Sequence, residues 1–181
     1  LIESCICSPE NSIRVDGGSS IIYSARIAGE KSKRYVYGID PASEVDKFSI
    51  VILEVYPNHR RIIYCWATNK KEHRERVKAG VTQETDFYSF CARKIRDLMK
   101  VFPCERIAMD SQGGGYHVLE CLHNRAQINV DERPIWPVMH ADKPQDSDGE
   151  FGDHIVELVN FADAKWTSEA NHGLRLDFES K

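Results

Sequence analysis

Residues 106–115 read Arg-Ile-Ala-Met-Asp-Ser-Gln-Gly-Gly-Gly, a short apolar run that ends in an aspartate and a glycine-rich turn. An amphipathic pattern precedes the run: apolar residues recur at helical spacing after the N-cap signal Thr85-Asp86, and Pro103 ends the pattern. The stretch therefore predicts a buried strand that is entered from a helix and left through a tight turn.

Three apolar strands are expected upstream of this helix, over residues 35–39, 47–55 and 60–68. Short polar connections between them imply antiparallel hairpins. Downstream, residues 116–124 predict a second short helix and residues 134–139 a further strand. Strands that alternate with helices imply right-handed crossovers and parallel pairing. Periodicity alone predicts an α/β mixed sheet flanked by helices. Three antiparallel strands followed by parallel strands is also the element order of a ribonuclease H-like sheet, which the motifs below favour.

The rest of the chain has weaker patterns. We expect a mobile loop over residues 141–152, a strand over 154–161 and an amphipathic helix over 163–179. The inward face of that helix is expected to carry Trp166, Ala170, Leu174 and Phe178. Residues 1–34 are interpreted as a linker or the tail of a preceding domain, which leaves one domain over residues 35–181.

Two aspartates stand at the ends of the expected strands. Asp40 follows the first strand directly, and Asp110 ends the strand behind the amphipathic helix. If these strands are parallel neighbours, their carboxyl ends lie about 5 Å apart and both carboxylates open into one crevice. Adjacent carboxylates repel each other, and a divalent cation removes that repulsion. Asp40 and Asp110 are therefore candidate metal ligands and catalytic acids.

Asp46 joins these two acids by a different route. It begins the second strand, and a hairpin through residues 41–45 folds it back toward Asp40. Glu44, in the turn itself, is a weaker candidate. Three oxygen ligands with no His or Cys beside them suit Mg²⁺ or Mn²⁺. Two such ions about 4 Å apart can activate a water and stabilise the leaving oxygen in phosphodiester hydrolysis.

Each feature also has an ordinary structural explanation. One aspartate at a strand end is commonly a turn or capping residue, and only the coincidence of three favours a site. The glycine turn at residues 110–115 matches neither common phosphate-binding motif, so we expect its glycines to permit close approach of DNA or of a helix end. His117 and His140 are possible proton carriers, although single histidines in such places are usually structural.

A basic run over residues 70–78 is a candidate contact to the DNA backbone. Its cations are Lys70, Lys71, Arg74, Arg76 and Lys78. Two glutamates are interspersed among them, which is typical of a solvated helix face or an exposed loop. The net charge of −4 argues against a large nucleic-acid surface, so any DNA contact must be local or helped by another domain.

The composition is that of a globular protein, with 41% hydrophobic and 29% charged residues. The six cysteines lack the spacing of a zinc site, and we assign them no role. The longest apolar run, residues 49–53, is far below the ~20 residues that a membrane helix needs. We therefore expect an intracellular protein without a membrane partner.

The sequence resembles the terminase large subunits of tailed phages and, more distantly, those of herpesviruses. The resemblance is carried by Tyr37-Gly-Ile-Asp-Pro-Ala42 with Asp46, by residues 106–115, and by Asn160-Phe-Ala-Asp-Ala-Lys-Trp-Thr-Ser-Glu-Ala-Asn-His172. It extends over residues 35–181, and the first two motifs are specific in combination.

The resemblance implies a nuclease of ribonuclease H-like fold that uses two Mg²⁺ or Mn²⁺ ions to cut concatemeric viral DNA during genome packaging. Asp40 and Asp110 would be the first and second catalytic acids, and Asp46 an accessory one. The implied partners are double-stranded DNA, an N-terminal ATPase domain of the same protein, the portal and the small terminase subunit, in the cytoplasm of an infected cell. The sequence has no Walker A pattern, so the resemblance implies a fragment of a longer ATPase–nuclease protein.

The chain departs from the family at the third catalytic acid, which usually lies well downstream of the second. The nearest acids here are Asp153 and Asp163, and Asp163 is also expected to cap the final helix. We therefore expect a nuclease domain truncated at its C-terminus. The alternative is a catalytically incomplete DNA- or portal-docking module. An actin-like or sugar-kinase phosphotransferase shares the strand order, but it needs a second such domain.

Overall fold

The computed structural model describes residues 13–16, 22–25, 28–42, 46–139 and 151–179. Within them the chain forms a mixed α/β fold with a six-stranded sheet, a separate two-stranded sheet and four helices. The strands are β1 (Ile13–Asp16), β2 (Ile22–Ala25), β3 (Arg34–Asp40), β4 (Phe48–Val55), β5 (Arg60–Thr68), β6 (Cys104–Asp110), β7 (Ile135–Pro137) and β8 (Asp153–Val159). The helices are α1 (Lys70–Lys78), α2 (Phe87–Val101), α3 (Gly115–His123) and α4 (Ala164–Glu179).

The main sheet has the strand order β5-β4-β3-β6-β8-β7. Strands β3, β4 and β5 are antiparallel neighbours, whereas β3 and β6, β6 and β8, and β7 and β8 pair in parallel. The expected change from antiparallel to parallel pairing is confirmed. The chain order did not indicate that β8 inserts between β6 and β7.

Helices α2 and α3 cover one face of this sheet. Tyr35, Tyr37 and Ile39 of β3 and Ile107 and Met109 of β6 are all buried and belong to one apolar cluster with residues of both helices. Side chains alternate between the two faces of a strand, so the intervening residues point to the opposite face. Those intervening positions of β3 and β6 are only partly buried or exposed, which makes the opposite face the more open one.

Helix α2 forms for the reasons that the sequence indicated. The Asp86 side chain accepts a hydrogen bond of 2.7 Å from the Ser89 N–H, which caps the first turn. Cys91, Ile95 and Leu98 recur at helical spacing and are buried against the sheet. The sequence therefore fixes both the start of the helix and the face that it buries.

Residues 1–34, interpreted as a linker or the tail of a preceding domain, contain the antiparallel pair β1 and β2 within their described part. The prediction of an inward face for α4 is wrong, because Ala170 and Leu174 are exposed and Trp166 is only half-buried against the ring of Phe161. An amphipathic pattern shows that one helix face is apolar, but it does not supply a surface to cover that face.

Some of the expected features lie outside the described residues, namely Glu44, His140, most of the expected loop over 141–152 and the side chain of Phe178. None of the helices in the described part of the chain combines the length and hydrophobicity that crossing a membrane requires.

Candidate functional site

Asp40 and Asp110 lie where β3 and β6 end, and on the same face of the sheet. We call this end of the sheet the edge of the acids, and the end where these two strands begin the opposite edge. Ile39 pairs with Met109 in the parallel register of β3 and β6, and each aspartate is the next residue of its strand. Because Ile39 and Met109 point into the core, the two aspartates point to the open face. Neighbouring strands lie about 4.8 Å apart, so the two side chains are adjacent.

Both aspartates hold the turn that follows their strand. Asp40 Oδ1 accepts a hydrogen bond of 3.3 Å from the Ala42 N–H, and Asp110 Oδ1 accepts one of 3.1 Å from the Gln112 N–H. The turn-forming role expected of a single aspartate is therefore present at both positions. Each bond engages one oxygen and fixes the direction of the other, for which the described residues supply no donor.

The Asp40 carboxyl lies in the field of the other acids. Partial loss of hydration raises its pKa above the ordinary value, and the charges of Asp110 and Asp46 raise it further, against the lowering effect of the Ala42 N–H. Removing a proton from Asp40 is therefore opposed by two nearby carboxylates. A cation held between the acids would offset that repulsion.

The other candidate metal ligands, Asp46, Asp153 and Asp163, lie at different places in the fold. Asp46 lies near enough to influence Asp40, yet no three His, Cys, Asp or Glu residues among those described are grouped so that they could hold a metal ion. Asp153 begins β8 and therefore lies at the opposite sheet edge, where it pairs with Arg133 at 2.9 Å. Asp163 follows β8 at the edge of the acids and caps α4 as expected, accepting from the Trp166 N–H at 2.9 Å.

The glycine turn after β6 packs against the turn after β3. Gly113 has φ of +65°, a conformation that favours glycine, and a side chain there would meet the Pro41 carbonyl at 3.6 Å. A side chain on Gly114 would overlap the ring of Tyr88, and one on Gly115 would overlap the Asp110 carbonyl. The glycines thus serve the close packing of α3 and of both turns around the acids, which fits the expected approach of a helix end.

The basic run forms helix α1, and it begins at the same sheet edge as the acids. Phe48 pairs with Thr68 where β4 starts and β5 ends, so the following Asn69 and Lys70 emerge at the end of the sheet where β3 also ends, two strands away from β3. Lys71, Arg74 and Lys78 are exposed, as a DNA contact requires. Arg76 is instead turned toward the fold, because it donates to Thr68 Oγ1 at 3.0 Å and lies over the ring of Phe90.

A second charged cluster lies at the opposite edge of the sheet. Glu132 accepts hydrogen bonds from Arg93 at 2.5 and 2.9 Å and pairs with Lys100 at 3.1 Å. Arg96 donates to the carbonyls of Leu122 and of residue 133 and thereby joins α2 to the end of α3. The cluster borders a cleft of about 250 Å³. Its charges are paired with one another, which is typical of a structural network.

Sequence reasoning overlooked Tyr88 and set His117 aside. The two rings stack at 5.4 Å beside the glycine turn, with the Lys70 ammonium 5.7 Å from the Tyr88 ring centre. A histidine two residues after a glycine-rich turn was a signal for half of this arrangement. Nothing local in the sequence indicated that Tyr88 faces the turn, because α2 and the turn come together only in the folded chain.

No protein-family model matches the chain, and no curated protein is significantly similar to it. The geometry of the sheet edge is therefore the basis for a proposed function.

Proposed function

We propose that this chain is a divalent-metal-dependent endodeoxyribonuclease of ribonuclease H-like fold that belongs to the nuclease part of a viral DNA-packaging terminase large subunit. Its reaction is the hydrolysis of a DNA phosphodiester, and its biological substrate is concatemeric viral DNA in an infected cell. The proposed partners are the ATPase domain of the same protein, the portal and the small terminase subunit, which come from the sequence resemblance.

One observation carries the proposal: Asp40 and Asp110 are adjacent at the carboxyl ends of parallel strands and point to the same open face. Ligands of open α/β sheets bind at this edge of the sheet. The order of three antiparallel strands followed by parallel strands supports the ribonuclease H-like fold.

The two carboxylates fit Mg²⁺ or Mn²⁺. Mg²⁺ is usually held by one or two protein carboxylates and completes its coordination with water and substrate phosphates, so a site of fewer than three grouped acids is sufficient for it. Asp40 and Asp110 would be the principal ligands, with Asp46 as an accessory acid. Bound ions would supply an activated water and charge stabilisation for the leaving oxygen.

The chain itself orients the carboxylates and leaves room for the substrate. The bonds from Ala42 and Gln112 fix the rotation of both aspartates, so each presents its second oxygen in a defined direction. Gly113 is exposed and carries no side chain beside the Pro41 carbonyl, so a DNA backbone can approach the turn closely at that residue. The exposed cations of α1, a helix that begins at the same edge, would contact flanking phosphates.

A docking module without catalytic activity is the second candidate. It is favoured by the absence of a group of three metal-binding residues among those described. Such a module would bind DNA without metal, and it would do so equally well after either acid is replaced.

Cleavage of a supercoiled plasmid in the presence of Mn²⁺ distinguishes the two. We expect nicked and linear products from the unaltered chain, and none from Asp40→Asn or Asp110→Asn. Asparagine keeps the Oδ1 acceptor of each turn and removes only the charge, so the fold is retained. Asp131→Asn removes one charge from an exposed residue at the opposite sheet edge and should cut normally. Metal-independent binding without cleavage would support the docking module.

A further inference from the structure

Lys70, Tyr88 and His117 form a stack beside the glycine turn, which we call the edge stack. The Lys70 ammonium lies 5.7 Å from the centre of the Tyr88 ring, and the imidazole of His117 lies nearly parallel to that ring at 5.4 Å with an angle of 15°. The three residues come from the first turns of α1, α2 and α3 respectively. The fold thus gathers a cation and two flat rings from three separate helices.

The edge stack is joined to the acids through the glycine turn. The Tyr88 ring fills the space beside Gly114, and Gly113 lies against the Pro41 carbonyl directly after Asp40. Asp110 begins the same turn, and α3, which carries His117, begins where the turn ends. The turn therefore connects the carboxylate pair to the edge stack. The acids point to the open face and the stack lies on the side of the helices, so a DNA strand that contacts both would pass over the glycine turn at the end of the sheet.

The outer surface of the edge stack is accessible. His117 is exposed although its ring rests on Tyr88, and the neighbouring Tyr116 is 63% exposed. A supported but accessible ring is what a nucleobase needs as a stacking surface. The Lys70 ammonium, 5.7 Å from the centre of the Tyr88 ring, supplies a positive charge that attracts a backbone phosphate.

We propose that the edge stack binds a DNA strand next to the carboxylate pair, with a backbone phosphate on Lys70 and a nucleobase against the His117 ring. The inference rests on the proposed function for the identity of the ligand, DNA, and adds a binding site to it. A base can stack on His117 only when it is unpaired, so the site favours single-stranded or locally opened DNA over intact duplex.

The chain contains a matched control for this arrangement. Lys33 lies 5.1 Å from the Tyr56 ring, and Tyr56 stacks on His59 at 4.3 Å. This second Lys–Tyr–His stack flanks the pairing of Arg34 with Val55, at the sheet edge opposite the acids. If such a stack bound DNA through its residue types alone, both would do so. The proposal assigns binding only to the one beside the carboxylate pair.

The test is the affinity of the whole chain for a fluorescein-labelled single-stranded oligothymidine, measured by anisotropy in EDTA at several salt concentrations. We expect His117→Ala to weaken binding about fivefold or more. Lys70→Gln should weaken binding and reduce the slope of log affinity against log salt by about 0.7. His59→Ala and Lys33→Gln should change neither the affinity nor the slope. Intact duplex should bind more weakly than the single strand.

Equal effects of the two sets of variants, or no effect of Lys70→Gln and His117→Ala, would overturn the proposal, as would a chain that does not bind the strand. Circular dichroism confirms that each variant is folded. Because the binding is measured without metal, the result is separable from nuclease activity. Plasmid cleavage that depends on Asp110 but not on the edge stack would support the nuclease function and contradict the binding site. Binding that depends on the edge stack, without any plasmid cleavage, would support the binding site and contradict the nuclease function.

Discussion

The ring of Tyr88 occupies the space that a side chain on residue 114 would need. This contact joins the first turn of α2 to the turn that follows Asp110, and it thereby holds one of the two carboxylates relative to the helical layer. Gly114 itself has φ of −124°, which other residues adopt readily. Its requirement for glycine therefore arises from packing against Tyr88 and not from backbone strain.

Gly114→Ala should lower the free energy of unfolding by about 1–3 kcal/mol, because the added methyl group overpacks a filled site. Urea denaturation measures the change. In a Tyr88→Ala background the same substitution should cost much less, since the overlapping ring is gone. Gly115→Ala should show no such relief, because its methyl group would meet the Asp110 carbonyl. An equal cost of Gly114→Ala in both backgrounds would contradict the contact.

The Glu132 cluster should make the fold sensitive to acid. Burial raises the pKa of Glu132, but the hydrogen bonds from Arg93, the Asn129 N–H and Lys100 outweigh it and lower the pKa from 4.5 to about 2. A lowered pKa means that the ionised form stabilises the folded state above pH 4.5, and that this stabilisation is lost as the pH falls from 4.5 toward 2.

Glu132→Gln should therefore be less stable than the unaltered chain by about 2 kcal/mol at neutral pH, because Arg93, Arg96 and Lys100 lose their counter-charge. The difference between the two proteins should shrink as the pH approaches 2. Urea denaturation across this pH range measures it. A difference that does not vary with pH would show that the carboxylate charge of Glu132 does not stabilise the fold.

Helix α4 should contribute little to the stability of the sheet. Leu174 is 56% exposed, so Leu174→Ser should change the free energy of unfolding by no more than about 0.5 kcal/mol. Leu122 of α3 is fully buried, and Leu122→Ala should cost about 3 kcal/mol in the same assay. Comparable losses for the two variants would mean that the apolar face of α4 is covered in solution.

The local elements were predictable where one face of an element is buried. The spacing of Cys91, Ile95 and Leu98 and the Asp86 cap specified α2, and short apolar runs specified β3 and β6. The position of β8 between β6 and β7 was not predictable, because strand order depends on long-range packing that no local pattern encodes. The prediction that α4 buries its apolar face was wrong for the same reason, because no local pattern shows whether another element covers that face.

The candidate site was predictable in part. Asp40 and Asp110 were identifiable as strand ends, and the buried Ile39 and Met109 before them indicate a common face once β3 and β6 are known to pair. The stack of Tyr88 on His117 was not, because it depends on how two helices meet at one glycine turn.

The most direct test of the carboxylate pair is a titration of the chain with Mn²⁺, followed by electron paramagnetic resonance of the free ion. We expect saturable binding by the unaltered chain, loss of that binding in Asp40→Asn and in Asp110→Asn, and its retention in Asp131→Asn. Absence of saturable binding, or binding that survives the removal of either acid, would contradict a metal site at this edge of the sheet.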